Sequence, residues 1–211
     1  MQQKLLHLSG IAFVLLVLVS IGIGGSTPGT DDSAAEVASF YNENEVRQFV
    51  TVFAFAATVP FLILFVVGLG PAIAARDDRN APWGQVAIAG AILAGGGILV
   101  TAAIHFALLD AATGGEVVQE AVLATTFLDG STWVAFNAGF GVMMLGAAGL
   151  LLSAGFKRWL GWIALVLGIA LFIPFADFVA LLLTLVWIVV TSVLLARGTP
   201  ETAYVAVRAN A

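Results

Sequence analysis

The sequence predicts an all-α membrane protein, built as a six-transmembrane-helix bundle with a short outer amphipathic helix. Two observations predict this class. Hydrophobic residues make up 61% of the chain and charged residues 10%, whereas a soluble protein is about half apolar and about a quarter charged. The apolar residues also gather in runs close to the roughly 20 residues that span a hydrocarbon core. We therefore expect residues 1–211 to form a single membrane domain.

Six apolar segments mark the predicted spans. They cover residues 5–24, 49–75, 83–109, 133–155, 159–175 and 178–196. Each is apolar on all sides and can satisfy its backbone hydrogen bonds in lipid only as a helix, since the strands of a membrane barrel would alternate apolar and polar residues. Pro60 is expected to kink the second segment.

Small residues in the third segment predict its place in the bundle. Ala87, Ala91 and Gly95 recur at spacing four, and small residues let helix backbones approach closely in lipid. We therefore expect this helix to be central. The glycines at 95–97 have an alternative interpretation as a hinge or a break of the kind found in transporter helices.

The last two spans are predicted from length and charge together. The stretch 159–196 is too long for one span at about 1.5 Å per residue, and we expect a tight turn at residues 174–177. Basic residues beside spans favour the cytoplasm. Lys157 and Arg158 precede the stretch and Arg197 follows it, so the chain should cross the membrane an even number of times between them.

Charge is distributed unequally between the two predicted sides. Lys4, the loop 76–79, residues 157–158 and the tail after residue 196 belong to a cytoplasmic side that holds seven of the eight basic residues. The outer side holds ten of the thirteen acids and only Arg47 as a base. No Ala-x-Ala site follows the first segment, so we expect it to remain as a span rather than to be cleaved as a signal peptide. The protein should therefore lie in the cell membrane with both termini in the cytoplasm.

The longest outer loop, residues 25–48, is expected to contain a helix over about 33–48. Ser33 and Glu36 have the spacing of a capping box, in which each side chain binds the other residue's backbone N–H at a helix start. Val37 and Tyr41 follow at helical spacing. This pattern predicts an amphipathic helix whose aromatic face lies on the bundle or among lipid headgroups.

Two short motifs carry a resemblance to a known family. The first is Ser-Ala-Ala-Glu-Val-Ala-Ser-Phe-Tyr at residues 33–41, and the second is Lys-Arg-Trp-Leu-Gly-Trp at residues 157–162. With the helix plan, these motifs resemble a widespread bacterial family of six-helix integral membrane proteins of unknown function. The resemblance implies a topology and no activity, so it assigns no site residue.

Catalytic and cofactor signatures are missing from the sequence. The chain has no cysteine and two histidines, which excludes thiolate metal sites, iron–sulfur clusters and disulfides. It contains no His-Glu-x-x-His, Gly-x-Ser-x-Gly or phosphate-binding loop motif. We therefore expect no catalytic residue, no cofactor and no metal centre, and an enzyme is not favoured.

Few polar side chains lie in the predicted spans, where an ionisable group costs about 2.5 to 3.5 kcal/mol at the helix centre. His105, Asn137 and Asp177 lie near the outer ends of the third, fourth and sixth spans, and Thr101 shares a helix face with His105. We expect these four residues to line one ligand-binding pocket that opens outward. A carboxylate for His105 should come from another helix, such as Asp177, because Asp110 lies on a different face.

Two functions are compatible with these residues. The first is binding or moving a small molecule or ion through the outward-facing pocket, where a histidine can titrate near neutral pH. The alternative is a noncatalytic accessory subunit or envelope scaffold, in which His105 makes only an interhelical hydrogen bond. Expected partners are the lipid bilayer and either further copies of the chain or another membrane protein, and nucleic acid is not expected.

Overall fold

The computed structural model of the protein describes residues 2–74, 81–114, 118–154 and 157–197. Within these ranges every regular element is an α-helix and no strand is present. The helices are α1 (Gln2–Gly24), α2 (Ala34–Glu43), α3 (Glu45–Ala56), α4 (Thr58–Ala74), α5 (Ala81–Thr113), α6 (Gln119–Ser131), α7 (Trp133–Ala154), α8 (Arg158–Ala170) and α9 (Asp177–Arg197). The predicted cytoplasmic loop 76–79, the tail after residue 197 and the predicted span ends at 75 and 155 lie outside the described residues.

Five segments of the described chain are long and apolar enough to span a membrane. They are Leu5–Gly24, Glu45–Leu69, Pro82–Thr113, Gln119–Ser153 and Asp177–Arg197. This all-helical, apolar architecture fits the predicted membrane protein. The fifth predicted span, residues 159–175, contains a helix of only 13 residues. At about 1.5 Å per residue, α8 is about 20 Å long, which is less than the hydrocarbon thickness of about 30 Å, so a count of six is not confirmed.

The second predicted span contains two helices, α3 and α4, which meet at Ala57. Pro60 lies in the first turn of α4, where its missing N–H costs no helical hydrogen bond. In one continuous helix the proline ring would clash with the carbonyl group of Ala56. The predicted kink is therefore present as a break in the helix three residues before the proline.

Helix α5 is the central helix of the bundle, and it contacts α2, α3, α4, α6 and α7. Its backbone approaches that of α7 closely. A Cβ atom added to Gly90 would collide with the backbone of Met143, and one added to Gly139 would collide with the backbone of Ala94. Helix α5 is continuous through residues 95–97, so these glycines mark no break in it.

A second, smaller hydrophobic core lies at the C-terminal end of α5. Val37 and Tyr41 of α2, Leu108 of α5 and Val122 of α6 are buried together in it. We call α2, α6 and residues 108–113 of α5 the cap. Helix α5 has 33 residues and is therefore about 50 Å long at about 1.5 Å per residue. Its last turns extend past the main bundle and carry the cap.

Helix α2 begins at the predicted capping box. The Ser33 hydroxyl oxygen accepts from the N–H of Glu36 at 3.3 Å, and the Glu36 carboxylate accepts from the N–H of Ser33 at 2.8 Å. The helix predicted over about 33–48 is shorter than expected because it ends at Glu43. The chain bends at Asn44, whose side-chain amide donates to a carbonyl oxygen of α2 at 2.8 Å, and α3 follows directly.

Candidate functional site

A cavity of about 420 Å³ lies inside the bundle beside the cap. It is enclosed by α1, α3, α5, α7 and α9, and most of its wall is apolar. Phe13, Ile98, Phe140 and Leu185 form the part of the wall farthest from the cap, whereas the polar side chains reach the cavity near the cap. The cavity therefore has an apolar interior and one polar end.

The cavity is open at the side of the bundle between α1 and α9. Ile21 of α1 and Phe178 and Leu182 of α9 line the cavity, although their side chains are 60%, 66% and 47% exposed on the outside of the bundle. The same helices are apolar enough to lie in a membrane. A molecule dissolved in lipid could thus reach the cavity without crossing the cap.

His105 is the centre of the polar end. Its Nδ1 atom lies 3.1 Å from Oδ2 of Asp129 on α6, and its Nε2 atom lies 3.2 Å from Oε1 of Gln48 on α3. Gln48 is fully buried, and its Nε2 atom donates to the carbonyl oxygen of Gly24 at 3.0 Å. Among the described residues, no group of three or more His, Asp or Glu side chains could hold a metal ion.

The orientation of the Gln48 amide determines which atom carries one proton of this hydrogen-bond network. Because its Nε2 atom donates to Gly24, its Oε1 atom faces His105, and an amide oxygen only accepts hydrogen bonds. Nε2 of His105 must therefore carry a proton. Nδ1 faces the carboxylate of Asp129, and two lone pairs at 3.1 Å would repel each other. The hydrogen bonds are complete when the His105–Asp129 pair holds one further proton, as imidazolium with carboxylate or as imidazole with carboxylic acid.

Tyr41 of the cap covers one side of the His105 ring. The two rings meet edge to face with their centroids 5.6 Å apart. Burial and, to a lesser degree, the charge of Asp129 raise the pKa of the Tyr41 phenol above its ordinary value. The phenol therefore stays neutral beside the His105–Asp129 pair.

Five hydroxyl groups line the cavity, including that of Thr27, and four of them donate their protons to a carbonyl oxygen three or four residues earlier. These hydrogen bonds are 2.8 to 3.0 Å long. They belong to Ser20, Thr51, Thr101 and Thr132. Because the protons are engaged, the hydroxyl oxygens present lone pairs to the cavity, and so does the carboxylate of Asp129. The polar end therefore accepts hydrogen bonds more readily than it donates them.

Of the four predicted site residues, Thr101 and His105 line the cavity. The other two form a separate buried pair, in which the Asn137 side-chain amide donates to Oδ2 of Asp177 at 3.3 Å. Neither of these lines the cavity, although the adjacent residues Phe136 and Phe178 do. The single pocket expected from the sequence is thus divided into a cavity site and a buried contact between α7 and α9.

The two pairs also lie at different heights along the bundle. A Cβ atom on Gly97 would be 2.5 Å from the backbone nitrogen of Phe136, so Asn137 is about level with Gly97. His105 lies eight residues further along α5, which is about 12 Å at about 1.5 Å per residue. Asp177 is therefore out of reach of His105, and the carboxylate that binds the imidazole is Asp129.

Three residues of the site were not identified from the sequence: Asp129, Gln48 and Tyr41. Tyr41 belonged to the predicted apolar face of the cap helix, which was expected to lie on the bundle or in headgroups. Gln48 is the last charged or amide side chain before a long, mainly apolar run, and this position was a usable signal. Nothing in the local sequence distinguishes Asp129 from the other acids of the outer loops, because only tertiary packing brings α6 against α5.

Comparison with known proteins adds no further assignment to this geometry. No protein-family model matches the chain, and no curated protein or solved structure is significantly similar to it. The resemblance to a bacterial membrane family therefore stays a prediction. The function has to be argued from the cavity and its side chains.

Proposed function

We propose that the protein is an integral membrane protein that binds a small amphipathic molecule in the cavity. The apolar body of the molecule would pack on Phe13 and Phe140, and its polar group would lie beside His105 and Asp129. The observation that carries this proposal is the unequal wall of the cavity, apolar in the interior and polar at one end. Binding sites for small molecules commonly combine an apolar lining with a few convergent polar groups.

The ionisable groups at the polar end support a binding role. Such groups are costly within membrane helices, and those present usually face the bundle interior or a cavity and mark a ligand or ion pathway. The side chains of His105 and Asp129 are 15% and 21% exposed, and both reach the cavity wall. A noncatalytic subunit or scaffold, the alternative function, gains nothing from an open cavity with a proton-holding pair at its end.

We also propose that the chain crosses the bilayer six times, with both termini in the cytoplasm and the cap outside. Helix α8 is short, but the turn after it returns the chain to the level of Asn137, where Asp177 begins α9. Lys157 and Arg197 would then lie on the same, cytoplasmic side, as basic flanks prefer. Local thinning of the bilayer can accommodate a short span at a modest energetic cost.

Cysteine labelling tests this topology, because the chain contains no cysteine of its own. In intact cells, a membrane-impermeant maleimide should label Thr30→Cys in the loop before the cap. Ser153→Cys and Gly198→Cys, which leave all basic residues in place, should react only after the membrane is permeabilised. Labelling of Gly198→Cys in intact cells would mean an odd number of crossings and would contradict the proposal.

Binding can be tested with two neighbouring alanines of α5. Ala102 is buried and lines the cavity, whereas Ala103 is exposed on the outside of the bundle. A ligand that binds only the folded protein raises its unfolding temperature. Dodecanol should therefore stabilise wild type and Ala103→Phe in lipid nanodiscs, and it should have little effect on Ala102→Phe, whose added ring occupies the cavity. An equal shift for all three proteins would rule out binding in this cavity.

A further inference from the structure

We infer that the ligand is a cationic amphiphile, such as an alkylammonium ion, and that its binding releases the proton held between His105 and Asp129. This inference rests on the proposed binding function and names the ligand class and the exchange. It follows from which hydrogen-bonding atoms the cavity offers and from the charge that the polar end can hold.

The cavity presents mainly hydrogen-bond acceptors, which suit a ligand whose polar group donates hydrogen bonds. The hydroxyl oxygens of Ser20, Thr51 and Thr101 already donate their protons to helix carbonyls. Oδ2 of Asp129 faces His105, and its Oδ1 atom makes no hydrogen bond within the described part of the chain. An ammonium group supplies up to three N–H donors and no acceptor. A carbonyl or phosphate group would instead bring further acceptors to a wall that already presents lone pairs.

The charge at the polar end implies that a bound cation replaces the proton of the His105–Asp129 pair. In the empty site, the extra proton makes the His105–Asp129 pair neutral overall, either as imidazolium with carboxylate or as two neutral groups. An ammonium group that donates one N–H to the Asp129 carboxylate and another to Nδ1 of His105 supplies the same unit of positive charge and takes the place of the shared proton. The imidazolium next to it then loses its Nδ1 proton to water, while Nε2–H still donates to Gln48. One cation enters and one proton leaves, so the pair together with the bound ammonium group stays electrically neutral.

Among the described residues, no other charged side chain forms an ion pair or a hydrogen bond with His105. Tyr41 of α2 is a buried neutral phenol and Gln48 of α3 is uncharged. On α5 itself, Asp110 lies five residues away with an exposed side chain. Arg47 is the one base at this end of the bundle within the described residues. Its guanidinium lies over the Phe40 ring, 5.6 Å from the centroid, and beside Gly25 at the edge of the cavity, while the Arg47 side chain itself does not line the cavity.

The electrostatic field at this end also favours cations. Seven acids of the cap, its loops and the start of α3 have exposed side chains, and within the described residues Arg47 is the only base at this end of the bundle. They are Asp31, Asp32, Glu36, Glu43, Glu45, Asp110 and Glu120. Surface charge of one sign raises the local concentration of the opposite ion. The opening between α1 and α9 then admits the alkyl chain from lipid while the ammonium group stays near the acids.

Isothermal titration calorimetry can count the proton. Wild-type protein in zwitterionic nanodiscs would be titrated with dodecylammonium chloride in phosphate and in Tris at the same pH, with empty nanodiscs as the reference. The two buffers differ in ionisation enthalpy, so the measured heats should differ by the release of about one proton per bound cation. The affinity should rise by up to about tenfold per pH unit while the pair still holds its proton. Dodecanol should show neither effect.

A pair of acid variants locates the exchange. Asp129→Asn should weaken dodecylammonium binding by at least about tenfold, the loss of one charge-assisted hydrogen bond, and should weaken dodecanol binding much less, because an alcohol carries no charge for the carboxylate to neutralise. Retained dodecanol binding also shows that the variant is folded. Asp110→Asn removes an exposed acid from the same helix and should bind both amphiphiles like wild type.

The outcomes separate this inference from the proposed function. Binding of dodecylammonium with no buffer dependence, or unchanged binding to Asp129→Asn, would overturn the cation-for-proton exchange and leave the cavity function standing. Failure of both amphiphiles to bind wild type would overturn both. If Asp129→Asn does not fold, the buffer dependence of the wild-type heats alone decides.

Discussion

The side-chain amide of Asn137 donates a hydrogen bond of 3.3 Å to the carboxylate of Asp177, and both side chains are buried. The bond joins α7 to the first residue of α9. The Oδ1 atom of Asn137 has no partner in the described part of the chain. The carboxylate also lies at a helix N-terminus, where negative charge is favoured. This contact sets the height at which the turn between α8 and α9 meets α7.

We expect Asn137→Ala and Asp177→Ala each to lower the free energy of unfolding, with a coupling between them of about 1 kcal/mol. The measurement is a double-mutant cycle by unfolding in detergent micelles. Glu120→Ala is the control, because Glu120 also lies in the first turn of a helix but is exposed. Zero coupling between Asn137 and Asp177 would show that their hydrogen bond contributes nothing to stability.

Two neighbouring glycines of α5 should respond differently to the same substitution. A Cβ atom on Gly97 would lie 2.5 Å from the backbone nitrogen of Phe136, whereas one on Gly96 would meet nothing within 4 Å. Gly97→Ala should therefore destabilise the protein by about 1–3 kcal/mol through forced separation of α5 and α7. Gly96→Ala should be neutral or stabilise it by up to about 1 kcal/mol, because alanine favours helix. Thermal unfolding measures both, and equal effects would contradict the close approach at Gly97.

Trp187 on α9 should contribute more to the free energy of unfolding than Trp162 on α8. The indole N–H of Trp187 donates to the carbonyl oxygen of Leu160 at 3.1 Å in a buried contact between α9 and α8. Trp187→Phe should cost about 1 kcal/mol of unfolding free energy. Trp162 is 56% exposed, and Trp162→Phe should cost little. A larger loss at Trp162 would place the structural role on the exposed face of α8.

The start of α2 should depend on acid pH. The side-chain and then the backbone hydrogen bond from Ser33 lower the pKa of Glu36 below its ordinary value of 4.5. Because the folded-state pKa is lowered, the stabilisation is complete above the ordinary value and is lost as the pH falls through the lowered one. Hydrogen-exchange protection of the α2 amides should fall over that range. Glu36→Gln should abolish the dependence, and Glu43→Gln, at the other end of α2, should retain it.

Local patterns predicted the helix starts better than the helix lengths. The Ser33–Glu36 capping box identified the beginning of α2, because the two reciprocal hydrogen bonds depend only on residues three apart. Its end at Glu43 was missed, since nothing in the sequence shows that the Asn44 side chain would cap a carbonyl of the preceding turn. Helix α8 was expected to be longer because the turn after it is itself apolar, which hydropathy cannot distinguish from helix.

The candidate site was predictable only in part. His105 and Thr101 were found because a polar side chain within an apolar helix is unusual whatever surrounds it. Their partner Asp129 was not found because the distance between α5 and α6 depends on the packing of the cap, and ten acids of the predicted outer side offered similar local sequences. The shared depth expected of His105 and Asn137 failed for a related reason, since His105 lies about 12 Å along α5 past the level of Asn137.

The length of α5 has a mechanical consequence. One rigid helix of about 50 Å forms part of the cavity wall, and its last turns pack against the cap. A change in bilayer thickness would therefore move the cavity mouth up or down relative to the lipid headgroups and leave its dimensions unchanged. Lipid composition would therefore set the depth in the bilayer at which the proposed ligand enters the cavity, because the length of α5 is fixed.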